Sequence, residues 1–386
     1  MSAPLNILFV SEPGLDGVFR IVERLTERLI ARGHRVHLAY SDLRGSPQLD
    51  ALVAHVAASG GETLNLRVGN APAPRDALAL ARLWALARRV RPDVIHAHSS
   101  KAGVLARTLA LLGLGARTFY SPHAYYGLVP SPGKNTALYN GIERLFGKIG
   151  TTISCSEDEK QFAIRTLGIP ESRLHVLFNS VDRTRFQPAD AETRRAARLA
   201  AGVPESAVVL GSLGRLCFQK DPQTLYRAVA PVLQRHPELH LLHLGRGELE
   251  SEIAALAAQL GIEQRITRLP FLAEPEKFYA ACDAFILPSR YEGLPVAAIE
   301  ALACDLPLIL STGPGFSDFP KLGLSHCWSA PPEDAEGFSR GLEAWLADRT
   351  AGRASNHRAR AAEHFDPERG VDRLLAIYRG EPLSAA

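Results

Sequence analysis

The chain has 386 residues, of which 46% are hydrophobic and 22% are charged. This composition excludes a disordered chain, and the length suffices for two hydrophobic cores. No apolar run reaches the roughly 20 residues that a membrane-spanning helix needs. Five cysteines without paired spacing favour reduced thiols over a disulfide framework or a zinc site. We therefore expect a cytoplasmic protein without a signal peptide, either soluble or peripheral on the inner face of a membrane.

The charge is divided unevenly along the chain. Residues 1–185 carry 23 basic and 15 acidic side chains, a balance of +8, whereas the remainder has a balance of −5. Either an anionic partner of the first half or arginine-rich helices that face solvent would explain this asymmetry.

The first half alternates short apolar segments with amphipathic helical patterns. Because a helix that connects neighbouring strands requires those strands to be parallel, the pattern predicts a doubly wound α/β sheet. The loop Ser11–Gly17 follows the first strand, where such sheets bind phosphate, but it lacks the Gly-x-Gly-x-x-Gly pattern of nicotinamide-binding proteins. In chain order, we predict strand 6–10, helix 19–32, strand 36–40, helix 76–90, strand 94–96, strand 118–121, helix 134–150 and strand 152–156.

A polar, alanine-rich stretch from Phe186 to Ala201 marks a domain boundary. A second α/β series follows it, so we predict a second parallel sheet whose ligands bind at the carboxyl ends of the strands. The predicted strands are 208–213, 239–244, 266–269, 284–287 and 306–310, and a last helix spans 368–379.

Two glutamates follow the strand at 284–287. Glu292 lies in a glycine-containing loop, and Glu300 lies in a helix that begins near Pro295. Proline at the first helical position loses no internal hydrogen bond, and the free N–H groups and dipole of a helix N-terminus attract anions. Glu300 lies about 7 Å further along the helix, at 1.5 Å per residue. This layout suits a ligand with a phosphate in its middle and hydroxyls at both ends.

Basic side chains follow other strands of the second series. Residues 214–216 read Gly-Arg-Leu and precede Lys220, and Arg246 follows the next strand. Arginine offers a bidentate fork to phosphate oxygens, and lysine adds a mobile point charge. We therefore expect Arg215 and Lys220 to bind phosphate.

Polar residues also follow two strands of the first half. Residues 96–103 read His-Ala-His-Ser-Ser-Lys-Ala-Gly, and residues 122–127 read Pro-His-Ala-Tyr-Tyr-Gly. Two histidines spaced by one residue, with no third ligand nearby, favour polar strand-end residues over a metal site. Both segments lie at the edge of the sheet that carries function in such folds.

Together these segments resemble the retaining family 4 glycosyltransferases. The resemblance rests on the Glu-x7-Glu pair, the Gly-Arg-Leu…Lys segment, a Pro-His-Gly-like motif with Ala124 in the glycine position, and residues 176–182, which are similar to an Asn-Gly-Val-Asp signature. Residues 98–103 are similar to those of family members that build surface polysaccharides. Residues 312–318 and Asp305 depart from the family pattern.

The resemblance implies a GT-B fold with two Rossmann-like domains that face each other across a cleft. Residues 1–185 would bind the acceptor, residues 186–365 would bind the nucleotide-sugar, and residues 366–386 would cross back to the first domain. Catalytic roles would belong to His123, Glu292, Arg215 and Lys220. Donor contacts would come from Gly17, Arg215, Lys220, Arg246, Gly293, Leu294 and Glu300, and acceptor contacts from Ser99, Ser100, Lys101 and Tyr125.

The implied reaction moves a hexose from a nucleotide-diphosphate sugar to a saccharide acceptor with retention of configuration. No Asp-x-Asp motif occurs in the sequence, and we expect no metal, no cofactor and no nucleic-acid partner. A sugar-nucleotide epimerase and a catalytically silent binding subunit of the same architecture remain alternatives.

The predicted helix 134–150 is amphipathic and carries the basic residues Lys134, Arg144 and Lys148. Such a helix either enters the surface of an anionic membrane or packs against the sheet. With the +8 balance, it leads us to predict peripheral membrane binding, a lipid-diphosphate-linked acceptor and a role in surface polysaccharide assembly.

Overall fold

The computed structural model describes residues 3–14, 16–43, 45–69, 71–130, 132, 135–351 and 355–382. These residues form two compact units. The first unit runs from the N-terminus to Asn179 and resumes at Glu368, and the second is Ser180–Pro367. The chain thus passes between the units at residues 179–180, where the sequence led us to expect 185–186.

Strands and helices alternate through both units. The strands are β1 (Asn6–Ser11), β2 (Arg35–Tyr40), β3 (Thr63–Asn65), β4 (Val94–His98), β5 (Arg117–Ser121), β6 (Thr151–Ser154), β7 (Leu174–Val176), β8 (Val208–Leu213), β9 (Leu239–Leu244), β10 (Ile266–Leu269), β11 (Ala284–Leu287), β12 (Leu308–Ser311) and β13 (Cys327–Ala330). The helices are α1 (Asp16–Ala31), α2 (Pro47–Ala58), α3 (Arg75–Val90), α4 (Ser100–Leu111), α5 (Thr136–Phe146), α6 (Glu157–Arg165), α7 (Ala191–Ala201), α8 (Pro222–Arg235), α9 (Glu250–Leu260), α10 (Pro275–Ala281), α11 (Val296–Ala303), α12 (Ala335–Thr350), α13 (His357–His364) and α14 (Pro367–Arg379).

Within the described residues of the first unit, seven parallel strands form one sheet in the order β3-β2-β1-β4-β5-β6-β7. Side chains alternate across a strand, so Leu8 and Val10 join the core on one face of β1 while Ile7 and Phe9 join the core on the other. Both faces are covered, which explains why β1 reads as a continuous apolar run.

The C-terminal helix α14 completes one of these two cores. Val371, Leu374 and Tyr378 pack in the same cluster as Ile7 and Phe9 of β1. Ion pairs join the exposed edges of α14 and α1, including one of 2.5 Å between Arg28 and Glu368. Exposed pairs of this kind add little stability, so the apolar contacts hold α14 in place.

Within the described residues of the second unit, six parallel strands lie in the order β10-β9-β8-β11-β12-β13. The chain builds outward in one direction from β8 and in the other from β11. In the first unit the corresponding pair is β1 and β4. The crevice at such a reversal point is where open α/β sheets bind ligands.

Several predicted boundaries differ from the structure, and three of the differences concern residues that the sequence analysis singled out. Helix α1 begins at Asp16, so Gly17 lies in its first turn and not in the preceding loop. The helix predicted at 134–150 is limited to Thr136–Phe146, and Lys134 lies outside the described residues. Pro295 is the N-cap of α11 and not its first helical residue.

None of the helices in the described parts of the chain combines the length and the apolar character that a bilayer crossing would require.

Candidate active site

The loops that follow β8 and β11 meet at the reversal point of the second sheet. The backbone N–H of Arg290 donates to the carbonyl of Gln219 over 2.8 Å. Beside this contact, Nζ of Lys220 lies 2.5 Å from Oε1 of Glu292. The fold thus joins the Lys220 and Glu292 segments, which the sequence had suggested separately.

Arg215 and Arg246 lie on two loops that touch through their backbones. The N–H of Leu216 donates to the carbonyl of Arg246 over 2.9 Å. A side chain at Gly245, which has φ +151°, would place Cβ 2.0 Å from the carbonyl oxygen of Gly214, so this approach requires glycine. Both arginines are exposed, and neither guanidinium has a hydrogen bond or an ion pair with another described residue. Two unpaired cations therefore project from adjacent loops, an arrangement suited to an anion.

Gly214 makes room for the lysine of this site. A Cβ at Gly214 would lie 3.1 Å from Cδ of Lys220, so the stem of the lysine packs along the glycine. The side chain of Gln219 also donates to Oε2, the other carboxylate oxygen of Glu292, over 3.3 Å. The glycine of the Gly-Arg-Leu segment thus has a physical role: it lets the lysine lie close to the chain.

Arg290 connects the two loops, and the sequence analysis assigned it no role. Its guanidinium lies 3.1 Å from the carboxylate of Asp221, donates to the carbonyl of Phe218 over 2.8 Å, and stacks over the Phe218 ring at 4.3 Å. Burial raises the pKa of Asp221, while a hydrogen bond from Thr224 and the charge of Arg290 oppose that change. The position of Arg290, two residues before Glu292, was the available signal in the sequence.

The loop at 312–318, which departs from the family pattern, still places glycine where the backbones touch. The N–H of Glu292 donates to the carbonyl of Pro314 over 2.8 Å. A Cβ at Gly315, which has φ +92°, would lie 2.4 Å from the carbonyl oxygen of Glu292. A Cβ at Gly313 would lie 2.4 Å from the carbonyl oxygen of Arg290. This loop therefore supports the backbone of the segment that carries Glu292.

Glu300 lies inside the second unit. Its side chain on α11 is fully buried, and one carboxylate oxygen accepts a hydrogen bond of 2.9 Å from the hydroxyl of Tyr279. The same hydroxyl also contacts the carbonyl of Ala297 over 3.0 Å. A ribose hydroxyl can reach this carboxylate only if neighbouring side chains move. Gly293 and Leu294, at the start of the same segment, are buried as well.

The loops that follow β4 and β5 meet in the first unit. Nδ1 of His98 lies 2.9 Å from Nε2 of His123, and the two rings stack 5.2 Å apart. His96 has different partners: its Nδ1 lies 2.6 Å from the hydroxyl of Tyr378, and its Nε2 lies 2.9 Å from the hydroxyl of Ser121. The histidine of the Pro-His-Gly-like motif therefore contacts a residue of the 96–103 segment.

All three histidines are neutral at pH 7. Burial lowers the pKa of His96 to about 3 and that of His123 to about 4. It lowers the pKa of His98 well below the ordinary value, and the two neighbouring histidines act in the same direction. Neutral imidazoles each carry one donor and one acceptor, which suits the binding of hydroxyl groups.

The backbone around these histidines is strained. Ser99, His123 and Ala124 have φ values of +86°, +55° and +83°, a region that residues other than glycine rarely occupy. Strain of this kind is retained where the surroundings hold the chain in a functional conformation.

Glu159 holds the His123 loop, and the sequence analysis missed it. Its buried carboxylate accepts hydrogen bonds from the N–H of Ala124, over 2.6 Å, and from the N–H of Cys155, over 2.8 Å. Burial raises its pKa, and these backbone hydrogen bonds counteract the change. The signal in the sequence was the Ser-x-x-Glu pattern of a helix start at residues 156–159, where Ser156 accepts from the N–H of Glu159 at the start of α6.

The structure places the predicted acceptor residues in different environments. Ser99 and Ser100 are partly exposed at the start of α4. Lys101 is committed to an ion pair with Asp76 and donates to the carbonyl of Ala71 over 2.8 Å. Tyr125 is fully buried in the core, so its contact with an acceptor stays a prediction. No group of three or more potential metal ligands occurs among the residues described.

Two family models divide the chain between them. Residues 15–185 match the model of Glycosyltransferase Family 4, and residues 194–364 match that of Glycosyl transferases group 1. A D-inositol 3-phosphate glycosyltransferase of Catenulispora acidiphila is 30% identical over 310 residues, which cover 74% of this chain and 72% of the relative. The chain belongs to the family 4 glycosyltransferases. This confirms the family that the motifs of this glycosyltransferase predicted.

Another relative matches over a smaller share of the chain. An Escherichia coli enzyme, UDP-Gal:alpha-D-GlcNAc-diphosphoundecaprenol alpha-1,3-galactosyltransferase, is 27% identical over 241 residues. The match covers 61% of this chain and 62% of that enzyme, so less than two thirds of the relative is spanned.

Solved structures confirm the predicted GT-B fold. Anabaena HepE in complex with UDP and glucose superposes with a TM-score of 0.80 at 19% identity, over 97% of this chain and 99% of that one. WaaG, a glycosyltransferase involved in lipopolysaccharide biosynthesis, superposes with a TM-score of 0.69 at 16% identity, over 95% and 98% of the two chains. At these identities the likeness concerns the fold alone.

Proposed function

We propose that this glycosyltransferase moves a hexose from a nucleotide-diphosphate sugar to a saccharide acceptor, with retention of configuration and without a catalytic metal. The observation that carries the proposal is the contact of Lys220 with Glu292 at the reversal point of the second sheet, beside Arg215, whose guanidinium has no partner among the described residues. Cations fixed at this position are suited to the diphosphate, and a carboxylate next to them is suited to sugar hydroxyls.

Charge moves onto the diphosphate as the reaction proceeds. The acceptor hydroxyl oxygen forms a bond to the anomeric carbon while the bond from that carbon to the diphosphate oxygen breaks. The departing phosphate oxygen takes the proton of the hydroxyl on the same face, so configuration is retained without an enzymic nucleophile. Arg215 and Lys220 stabilise the negative charge that develops on the leaving group, and these two cations take the place of a metal ion.

The relatives support a uridine nucleotide as the first donor to test. The printed name of the Escherichia coli relative contains UDP-Gal, and HepE has been solved with UDP-glucose. Glu300 is assigned to the ribose hydroxyls and Glu292 to the transferred sugar. The buried position of Glu300 adds the requirement that its surroundings rearrange when the donor binds.

A lipid-diphosphate-linked acceptor at the inner face of the membrane is the second part of the proposal. The same Escherichia coli relative acts, by its name, on a diphosphoundecaprenol-linked sugar. Helix α5 exposes 52% of Leu138 and 72% of Leu145, and Arg144 and Lys148 are exposed beside them. An outward face with large apolar and basic side chains is suited to the surface of an anionic membrane.

The inward face of α5 explains this orientation. Glu143 is buried and lies 2.9 Å from the guanidinium of Arg107, and it also accepts a hydrogen bond of 2.8 Å from the hydroxyl of Tyr120. Removing either charge would leave the other buried without a partner, so the pair fixes which side of α5 faces the protein. The sequence left membrane contact and packing against the sheet as alternatives for this helix, and the two faces described here support assigning one role to each.

The test is an assay of purified protein with UDP-sugars and a lipid-diphosphate-linked monosaccharide, in the presence of excess EDTA. We expect a disaccharide product in which the anomeric configuration of the donor is retained, as measured by NMR. An inverted product would refute retention, and complete loss of activity in EDTA that Mg²⁺ restores would refute metal independence. An epimerase would change the donor without acceptor, and a silent binding subunit would release no nucleotide.

A further inference from the structure

A pair of histidines in the first unit has two ring nitrogens that the protein leaves without partners. His98 and His123 share one hydrogen bond of 2.9 Å, between Nδ1 of His98 and Nε2 of His123. The remaining nitrogens, Nε2 of His98 and Nδ1 of His123, are shielded from solvent and have no hydrogen-bond partner among the described residues. His98 is 1% exposed. Buried polar atoms are almost always paired in proteins, so these two atoms indicate a place for a polar ligand.

The shared hydrogen bond couples the tautomers of the two rings. If His98 donates from Nδ1, then His123 accepts at Nε2 and must carry its own proton on Nδ1. If His123 donates from Nε2, then His98 accepts at Nδ1 and must carry its proton on Nε2. Both neutral rings therefore always hold the same tautomer. In either case one of the two remaining nitrogens is a donor and the other is an acceptor, and these roles exchange between the two cases.

Local backbone strain is concentrated at the same place. Ser99 follows His98 directly and has φ +86°, and Ala124 follows His123 directly and has φ +83°. A hydrogen bond of 3.1 Å from the N–H of Ser99 to the carbonyl of Ser121 ties the two loops together. Chain geometry that is unfavourable at both histidines, yet fixed by hydrogen bonds, favours a functional role over simple packing.

We propose that His98 is a positioning residue that holds the ring of His123 and ties the tautomer of His123 to its own, so that Nδ1 of His123 meets a hydroxyl of the reacting sugar in the role that complements Nε2 of His98. The assignment of that hydroxyl to a sugar rests on the proposed function. The coupling of the two rings does not rest on it. Burial keeps both rings neutral at pH 7, which is the state that the coupling requires.

His96 provides a matched comparison on the same strand. Its ring lies 4.1 Å from that of His98, and it is equally buried, but both of its nitrogens have partners in Tyr378 and Ser121. A role in packing alone would make the loss of His98 no more costly than the loss of His96, because replacing His96 also removes its contacts with Tyr378 and Ser121. If His98 positions His123, only the replacement of His98 should change the tautomer of His123.

The experiment combines ¹⁵N NMR of histidine-labelled protein with steady-state kinetics of wild type, His98→Phe, His98→Asn and His96→Phe. Wild type should show the same tautomer in His98 and His123. His98→Phe keeps an aromatic ring but removes its nitrogens, so it should release the tautomer of His123 and lower kcat about tenfold or more, with little change in the KM for the UDP-sugar. His98→Asn should recover part of kcat, because its amide occupies the place of Nδ1. His96→Phe should leave the His123 tautomer unchanged.

Different tautomers in the two wild-type rings would overturn the proposal. So would a His123 tautomer that is unaffected in His98→Phe, or equal losses of kcat in His98→Phe and His96→Phe at matched thermal stability. If wild type transfers no sugar at all, the proposed function fails, but the NMR comparison still decides whether His98 controls His123.

Discussion

Nζ of Lys220 lies 2.5 Å from a carboxylate oxygen of Glu292, a residue 72 positions further along the chain. The pair is mostly shielded, with 20% of the lysine side chain and 8% of the glutamate side chain exposed. A diphosphate that enters this site competes with Glu292 for the ammonium. We infer that donor binding exchanges one anionic partner of Lys220 for another and frees Glu292 to accept hydrogen bonds from the sugar.

Arg215→Ala and Lys220→Ala should both lower kcat, by about 10²–10³-fold, because both cations act on charge that forms in the transition state. Their effects on stability should differ. Arg215 has no side-chain partner among the described residues, so its loss should leave the melting temperature unchanged, whereas loss of Lys220 leaves Glu292 without its cation. Kinetics and thermal unfolding of both variants measure this. A change confined to KM would mean that the two residues only bind the donor.

Glu300→Ala should weaken binding of the nucleotide-sugar, because it removes hydroxyl contacts worth about 1–3 kcal/mol. Tyr279→Phe is the informative companion, since it removes only the hydroxyl that holds the Glu300 carboxylate. If a hydroxyl of the nucleotide-sugar replaces the Tyr279 hydroxyl as the partner of Glu300, Tyr279→Phe should lower the free energy of unfolding without lowering the affinity for the nucleotide-sugar. Calorimetric titration with UDP-sugar measures both effects. An unchanged affinity in Glu300→Ala would remove the ribose assignment.

Ala124→Gly should stabilise the protein by about 1 kcal/mol, because alanine at φ +83° carries a steric cost that glycine does not. Ala189→Gly, in a loop where φ is not positive, serves as the control and should destabilise by about 0.5–1 kcal/mol. Denaturant unfolding compares the two. Destabilisation by Ala124→Gly would show that the N–H contact with Glu159 depends on the side chain of residue 124.

Liposome sedimentation should show binding to anionic vesicles that weakens at high salt. A Leu138→Ser/Leu145→Ser variant should bind less, as should a Lys134/Arg144/Lys148 triple alanine variant. Leu199→Ser is a matched control, because Leu199 is 82% exposed on α7 of the other unit. Wild type that ignores anionic vesicles, or a double serine variant that binds as wild type does, would remove the membrane role of α5.

Unfolding should become easier as the pH falls from about 6.5 towards 4. Burial lowers the pKa of His96 to about 3 and those of His123 and His243 to about 4. Below the ordinary histidine pKa the unfolded chain therefore binds more protons, and each histidine reduces the free energy of unfolding by roughly 1.4 kcal/mol per pH unit. Denaturant unfolding between about pH 7 and pH 5 tests this, and a flat or rising profile would contradict it.

Much of the fold was predictable because burial leaves a clear pattern. The strands at 208–213 and 284–287 read as apolar runs since both faces of their sheet are covered, and their predicted bounds match β8 and β11. The short edge strands β3, β7 and β13 were missed. Each contains residues that are partly buried or exposed, such as Thr63, His175 and Ser329, so none carries a comparable run.

The candidate site was predictable where a motif carries the chemistry itself. Arg215, Lys220 and Glu292 could be named because charge and spacing identify them. Arg290 and Glu159 could not, because each acts by holding a loop that is distant in sequence. Their importance depends on contacts that only the folded chain creates, such as the one between Glu159 and Ala124. Lys101 is likewise kept from binding a ligand by its ion pair with Asp76, which lies on another helix.

The return of α14 to the first unit also determines the order in which the chain can fold during synthesis. Residues 180–367 form one uninterrupted segment, so the second unit can build its core without any residue that is synthesised after it. The first unit cannot, because Val371, Leu374 and Tyr378 are synthesised only after the whole of the second unit. The half of the enzyme that is made first is thus the half that is finished last, and until then its nascent sheet has one apolar face without its final helix.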